Sequence, residues 1–169
     1  MSRQVFFTNR KTEHPTYKKK KKDISFNNFN VSLQTQKREI NMLYLDISCA
    51  RATLYKKQIR KKAISYKNQD VNMERSTEYI MNIDDYINEL IEKLVESQLK
   101  CSYCKKDIYV LYEDVLQQDQ WTLDRIDNEM NHSISNCVIS CLSCNISKRR
   151  RNDHDFRFSK QLKIIKQET

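Results

Sequence analysis

Two cysteine pairs, Cys101-Ser-Tyr-Cys104 and Cys141-Leu-Ser-Cys144, decide how the second half of this chain folds. Each pair has the spacing with which thiolates bind zinc, and two pairs supply the four ligands of a closed, structural site. A redox dithiol is the alternative for a single pair, but no βαβ pattern surrounds either of them. The pairs therefore predict a structural Zn²⁺ held by Cys101, Cys104, Cys141 and Cys144.

Charge and hydropathy indicate the kind of partner. The 169 residues carry a net charge of +9, which favours a polyanion, because each cation placed near a phosphate releases condensed counterions. No apolar run approaches the ~20 residues that span a bilayer, and the N-terminal residues lack the apolar core of a secretory signal. We therefore expect an intracellular, soluble protein, cytoplasmic or nuclear, with a nucleic acid as its partner and no contact with a membrane.

Four regions are predicted along the chain. Residues 1–35 have no sustained period and read as a flexible basic arm. Its lysine run at 18–22 either contacts phosphates, directs nuclear import or is a solvated tail. A helical region at 36–99 and the zinc domain at 100–160 follow, and residues 161–169 form a C-terminal tail.

Apolar spacing predicts two helices in the second region. Residues 36–67 have a mostly helical period with basic residues clustered at the far end, and residues 77–99 carry one continuous apolar stripe. The basic face is either solvated or lies along a duplex. The apolar stripe packs within the chain, and the alternative is that it forms the interface of a homodimer.

Strand-like segments lie between and beside the cysteine pairs. Residues 107–112, 121–123 and 137–140 are rich in β-branched and aromatic side chains. A basic helix is predicted to begin at Asn145, directly after the second pair. The predicted order of elements is strand, loop, strand, helix.

The chain contains no glycine, although turns that need a positive φ normally use it. Asparagine tolerates this region of backbone conformation, so we expect residues such as Asn128 and Asn131 to occupy such turns. The Lys- and Asn-rich composition is typical of an AT-rich genome. We therefore expect a viral source, with the infected host cell as the place where the protein acts.

Oxygen-bearing side chains lie between the cysteine pairs. Asp124 and Asp127 flank Arg125, and Asn136 and Asn145 follow. Carboxylate and amide oxygens are the ligands that Mg²⁺ prefers, and a divalent ion of this kind promotes phosphodiester cleavage. The alternative is that the two aspartates make turn hydrogen bonds and pair with Arg125.

The order of these residues resembles the HNH endonuclease family. The resemblance covers about residues 101–151 and rests on the cysteine pairs, the stretch Thr122-Leu123-Asp124-Arg125-Ile126-Asp127-Asn128, the pair Asn131-His132, Asn136, and Asn145 followed by Lys148. It implies an α+β fold, in which preceding helices join a small zinc-stapled ββα-metal module. It also implies an endonuclease that hydrolyses DNA with Mg²⁺ or a similar ion, with RNA not excluded as substrate.

The resemblance assigns roles to individual positions. Asp124 and Asn145 match the ligands of the catalytic Mg²⁺, and Asn136 matches the asparagine that ties the loop to the strand. The basic block Lys148-Arg149-Arg150-Arg151 follows the helix start and is expected to contact phosphates.

The sequence departs from the family at Arg125, where most members have the histidine that acts as general base. Arginine stays protonated near neutral pH and cannot serve as a base. The base is then Asp127 or His132, and Arg125 is expected to hold a phosphate. The alternative is a catalytically inactive, zinc-containing module that binds nucleic acid.

Overall fold

A computed structural model describes residues 31–162 of the chain. The predicted arm up to residue 30, with its lysine run, and the predicted tail beyond residue 162 lie outside the described residues. The fold is mixed α and β, as predicted, and no helix among residues 31–162 is long and apolar enough to cross a bilayer. The main elements are α1 (Leu33–Tyr44), α2 (Ala52–Asn72), α3 (Ile83–Glu96), β1 (Trp121–Arg125), β2 (Cys137–Cys141), α4 (Leu142–Lys148) and α5 (Asp153–Gln161).

The single helix predicted at 36–67 is in fact two helices, α1 and α2. Helix α1 begins earlier than predicted because Ser32 caps it, its hydroxyl accepting from the amide of Thr35 at 3.2 Å. It ends before Asp46, which has a φ of 55° and turns the chain away from the helix axis. Residues 33–35, assigned to the flexible arm, are therefore helical.

Four helices end on a residue with positive φ that is not glycine, and the fourth is α4, which Arg149 follows with a φ of 53°. Asp46, Glu74 and Gln98, which follow α1, α2 and α3, have φ values of 55°, 54° and 52°. After α1 the amide of Ile47 donates to Met42 O at 2.8 Å, the long hydrogen bond of a Schellman motif. Acidic and amide side chains thus take the place of glycine after α1, α2 and α3, whereas an arginine does so after α4. The expectation that asparagines fill these positions is wrong for the described part of the chain.

Helix α3 is shorter than the predicted helix at 77–99 and lies at the centre of the helical region. Asn82 caps its first turn, its side chain accepting from the amide of Asp84 at 2.9 Å. The predicted apolar stripe is buried and packs against α1 and α2. The stripe therefore packs within the chain, as predicted, and is not available as a dimer face.

Strands β1 and β2 form an antiparallel hairpin that leads directly into α4. Leu123 pairs with Ile139 and Asp124 with Val138. The side chain of Cys141, the last residue of β2, accepts from the amide of Cys144 and caps α4. The helix predicted to begin at Asn145 therefore begins at Leu142. The two strands and this helix follow one another in the order ββα.

The strand predicted at 107–112 does not form. This segment makes isolated bridges, Lys100 with Asp107 and Tyr109 with Gln120. The amides of residues 110 and 111 donate instead to the side chain of Gln36, at 2.9 and 3.0 Å. Because a buried side chain satisfies these backbone groups, they are not available to a neighbouring strand.

One hydrophobic core joins the helices to the cysteine-bearing module. Ile59 on α2, Leu90 on α3 and Trp121 on β1 are buried in the same cluster. Helix α2 also contacts the hairpin directly, because the amide of Leu123 donates to the hydroxyl of Tyr66 at 2.9 Å. The helices are thus positioned to contribute side chains beside β1.

Gln36 provides a test of this packing. Its side chain is fully buried and bonds Val110 N, Leu111 N, Leu111 O and Val31 O. We expect Gln36→Leu to lower the free energy of unfolding by about 3 kcal/mol, since buried backbone groups lose their partners. Urea unfolding measures this change. Exposed Gln34 on the same helix is the control, and equal losses for Gln34→Leu and Gln36→Leu would contradict the interpretation.

Candidate active site

Four sulfur atoms meet in one cluster. Cys101 and Cys104 lie in the turn after α3, whereas Cys141 and Cys144 lie at the junction of β2 and α4. Their Sγ atoms all lie within 4.8 Å of one another. Thiolates this close suit one tetrahedral ion. The structure therefore confirms that the four predicted ligands come together, and they fit a single metal ion such as Zn²⁺.

A cleft of about 380 Å³ lies beside the cysteine-bearing module, between α2, β1, the loop after β1 and α4. It brings together five of the residues singled out from the sequence, which are Asp124, Arg125, His132, Asn145 and Arg149. Helix α2 contributes a wall that the sequence did not predict, formed by Lys62, Ser65, Tyr66 and Gln69.

Asp124 is buried on β1. Its Oδ1 lies 3.5 Å from Lys148 Nζ, whereas Oδ2 is buried without a hydrogen-bond partner among residues 31–162. Burial raises the pKa of Asp124 above its ordinary value, and the hydroxyl of Tyr103 and then the Lys148 ammonium oppose this shift. An unpaired buried carboxylate oxygen is costly unless a cation or donor occupies the space beside it.

Asn145 is the second oxygen-bearing residue in the cleft. It lies on α4, and its Nδ2 donates to Leu123 O at 3.0 Å. The amide is therefore oriented with its nitrogen on the strand, and Oδ1 is the atom left to bind a ligand. Asp124 and Asn145 carry hard oxygen ligands and line one cleft, and they fit a divalent cation such as Mg²⁺.

Arg125 does not pair with Asp124 in the described residues. Its Nη1 donates to Met130 O at 3.0 Å, and its side chain is half-buried at the cleft. Burial lowers the pKa of Arg125, and Arg75 acts in the same direction. The cation beside Asp124 is Lys148, so the alternative interpretation, in which Asp124 pairs with Arg125, is not found within residues 31–162.

Asp127 and Asn136 build the loop and do not line the cleft. The side chain of Asp127 is exposed and its Oδ1 accepts from the amide of Glu129 at 2.9 Å. Asn136 accepts from Asp127 N at 3.0 Å and donates to the carbonyls of Asp127 and Asn131, both at 2.9 Å. Asn136 thus ties the loop to the hairpin, in the manner that the resemblance implies.

His132 lies in the cleft and is paired with a residue that the sequence did not single out. Its Nδ1 lies 2.9 Å from Asp70 Oδ1, and its backbone amide donates to Asp70 Oδ2 at 2.9 Å. Asp70 is fully buried on α2. One signal could have found it, because Asp70 falls in helical register with the buried Ile59, Ala63 and Tyr66.

The basic block predicted to contact phosphates divides into two parts. Lys148 is fully buried, and its Nζ donates to Arg125 O at 2.6 Å. Arg149, Arg150 and Arg151 are exposed, and Arg149 lines the cleft. The prediction that Lys148 lies on the surface and contacts phosphates is therefore wrong, because its side chain is buried. The three arginines are accessible to solvent, as predicted.

Comparison with known proteins finds a partial match in a bacterium. The chain is 37% identical over 62 residues to the protein named "SPbeta prophage-derived putative HNH endonuclease YoqL" of Bacillus subtilis (strain 168). The match covers 35% of this chain, and the chain spans 25% of that protein's length. No family model matches the chain. No solved structure matches it.

Metal analysis tests the cysteine cluster. We expect the purified chain to carry about one zinc per molecule, because four thiolates complete a tetrahedral site. Cys141→Ser removes one ligand, so zinc content and Tm should both fall. Cys49, half-buried and outside the cluster, is the matched control, and Cys49→Ser should keep its zinc. Full zinc content in Cys141→Ser would show that the metal binds elsewhere.

Proposed function

We propose that this chain is a metal-dependent endonuclease of HNH type that hydrolyses phosphodiester bonds in DNA. The observation that carries the proposal is the pair of oxygen-bearing residues Asp124 and Asn145, which line one cleft next to the hairpin and helix that carry two of the clustered cysteines. The similarity to a protein named as an HNH endonuclease supports a nuclease at the level of the family.

Asp124 and Asn145 would hold a divalent ion, and the cysteine cluster would hold Zn²⁺ as a structural element. When bound in the cleft, the divalent ion supplies positive charge that stabilises the phosphate as it is attacked and the ester oxygen as it leaves. Lys148 opposes the effect of burial on Asp124, because an ammonium 3.5 Å from a carboxylate favours the charged form.

Arg125 would bind the scissile phosphate. A guanidinium has five N–H donors, and a hydrogen bond to Met130 O occupies only part of this set. The remaining donors are suited to two oxygens of one phosphate. In this proposal the residue that replaces the family's histidine serves in substrate binding and not in proton transfer.

The charge around the cleft fits a polyanionic substrate. Lys62 and Arg149 line it together with Arg125, and the N-terminal half of α2 extends this positive surface with the exposed Lys56, Lys57 and Lys61. Phosphate contacts of this kind position a duplex without reading its sequence. We therefore propose that α2 and the cleft bind DNA as one continuous surface.

Cleavage of supercoiled plasmid with Mg²⁺ or Mn²⁺ tests the function. We expect the wild type to nick the plasmid and Asp124→Asn and Asn145→Ala each to lose about 100-fold or more in rate, as removal of a transition-state-stabilising group does. Asp155→Asn changes an exposed carboxylate on α5 and should leave the rate unchanged.

Two results would contradict the proposal. Equal rates for the wild type and both cleft variants would show that the site lies elsewhere. Salt-sensitive retardation of DNA without cleavage by any metal would instead favour the non-catalytic binding module, for which the buried Asp124–Lys148 pair is the supporting observation. A parallel assay on RNA of the same sequence distinguishes the substrate.

A further inference from the structure

We propose that His132 is the general base of this cleft and that Asp70, on α2, is the residue that positions it. The inference rests on the proposed nuclease function and adds to it. It supplies the base that the arginine at position 125 cannot provide, and it places one part of the catalytic apparatus outside the cysteine-bearing module.

Asp70 determines which ring nitrogen of His132 is available. A carboxylate accepts hydrogen bonds, so its contact with His132 Nδ1 at 2.9 Å requires the proton on Nδ1. Nε2 is then the unprotonated nitrogen of the neutral ring. No hydrogen bond within residues 31–162 involves Nε2, and the ring lines the same cleft as Asp124 and Asn145. The nitrogen that can accept a proton, Nε2, therefore belongs to a residue that lines the proposed substrate cleft.

The ring is fixed from several sides. Tyr66 stacks against it with ring centroids 4.9 Å apart. The backbone of His132 is held at both polar groups, because its amide donates to Asp70 Oδ2 and its carbonyl accepts from the hydroxyl of Tyr86 at 2.6 Å. Asp70 is held in turn by the hydroxyl of Tyr79 at 2.6 Å. A base held in this way loses little entropy when it meets its water.

The surrounding charges favour a neutral imidazole. Burial lowers the pKa of His132, and Arg125 and Arg75 act in the same direction, whereas Asp70 raises it. The ring is therefore unprotonated near neutral pH, as a base must be. The titratable and charged groups that face it from each packed element are Tyr66 and Asp70 on α2, Arg75 after α2, Tyr79 in the 3₁₀ helix Glu78–Ile80, Tyr86 on α3 and Arg125 on β1.

The proton and the electron pairs balance in the proposed step. His132 Nε2 takes a proton from a water molecule as the water oxygen forms a bond to phosphorus. The bond from phosphorus to the leaving ester oxygen breaks, and that oxygen takes a proton from solvent. The imidazolium formed at His132 is stabilised by the Asp70 carboxylate at 2.9 Å and returns its proton to solvent.

Neither Asp127, the other residue considered for the base, nor His154 lies in the cleft with the proposed metal ligands. Asp127 is exposed, does not line the cleft, and uses Oδ1 in a turn with Glu129. His154 is also exposed, lies on α5 and lines a different surface depression. Among these three groups, His132 alone shares the cleft with the proposed metal ligands.

The rate of plasmid nicking tests the inference in the full-length protein. We expect His132→Ala to lose about 100-fold or more in kcat, the usual contribution of a general base, and added imidazole to restore part of it. Asp70→Asn should lose about 10-fold with little change in KM, since it disturbs orientation and not substrate binding. His154→Ala, which changes an exposed histidine on α5 outside the cleft, is the control and should stay within about threefold of wild type.

The pH profile separates positioning from a merely structural role. A base works in its neutral form, so the rate should rise with pH through the pKa of His132. Asp70 raises that pKa, and Asp70→Asn should therefore move the rising limb to lower pH. An unmoved limb in a folded Asp70→Asn protein would overturn the positioning role.

Nitrogen NMR of the imidazole rings provides a readout that does not depend on activity. We expect His132 to carry its proton on Nδ1 near neutral pH in the wild type and to lose this preference in Asp70→Asn. A proton on Nε2 in the wild type would overturn the inference. Wild-type rates in His132→Ala together with inactive Asp124→Asn would also overturn it while the nuclease function stands. Failure of the wild type to cut with any divalent metal would reject both.

Discussion

The four-cysteine cluster is the constraint on which the rest of the structure depends. It joins two segments that are about forty residues apart in the chain, the turn after α3 and the start of α4. Because Cys141 is at once the end of β2, the cap of α4 and a member of the cluster, its position determines where the strand stops and the helix starts. Asn145 lies one turn further along the same short helix. A metal at the cysteines would therefore stabilise the geometry of the cleft without entering it.

The hairpin transmits this constraint to the acid. The register that pairs Asp124 with Val138 sets the acid near the end of β1, where the loop begins. Helix α4 then crosses back over the hairpin, and its residues Asn145 and Lys148 bond to Leu123 O and Arg125 O. The backbone of β1 thus accepts hydrogen bonds from two side chains of α4, at the residues immediately before and after Asp124. The positions of these three side chains are fixed by the same few hydrogen bonds.

Spacing in the sequence predicted the local features well. The cysteine pairs, the hairpin and the sites of Asp124, Asn145 and His132 could be inferred from short motifs and from the resemblance they carry. Features that depend on distant contacts could not. Residues 107–112 do have the composition of a strand. The side chain of Gln36, more than seventy residues away, accepts the hydrogen bonds of two of their amides, so no strand forms. The break in the predicted helix at 36–67 was hidden because Asp46, and not glycine, takes the positive φ.

The same reasoning explains why the sequence missed the environment of two site residues. Asp70 and His132 are separated by 62 positions, and their contact depends on how α2 docks on the loop. Lys148 lies in a run of four basic residues, and nothing in the run distinguishes the buried member from the three exposed ones. Burial of a single lysine is decided by the direction of α4, which is a property of the fold.

The two buried acids of the cleft differ in how many of their oxygens are occupied, and this difference separates their roles. Asp70 uses Oδ1 on the His132 ring and Oδ2 on the His132 amide and the Tyr79 hydroxyl. A carboxylate whose oxygens are filled by donors orients its neighbours and has no capacity left for a cation. Asp124 faces one ammonium through Oδ1, the Tyr103 hydroxyl also lies near the carboxylate, and no hydrogen bond within residues 31–162 fills Oδ2. A buried oxygen of this kind is costly unless a donor or a cation approaches it. The occupied acid therefore suits the positioning of a base, and the open acid suits the binding of a metal ion.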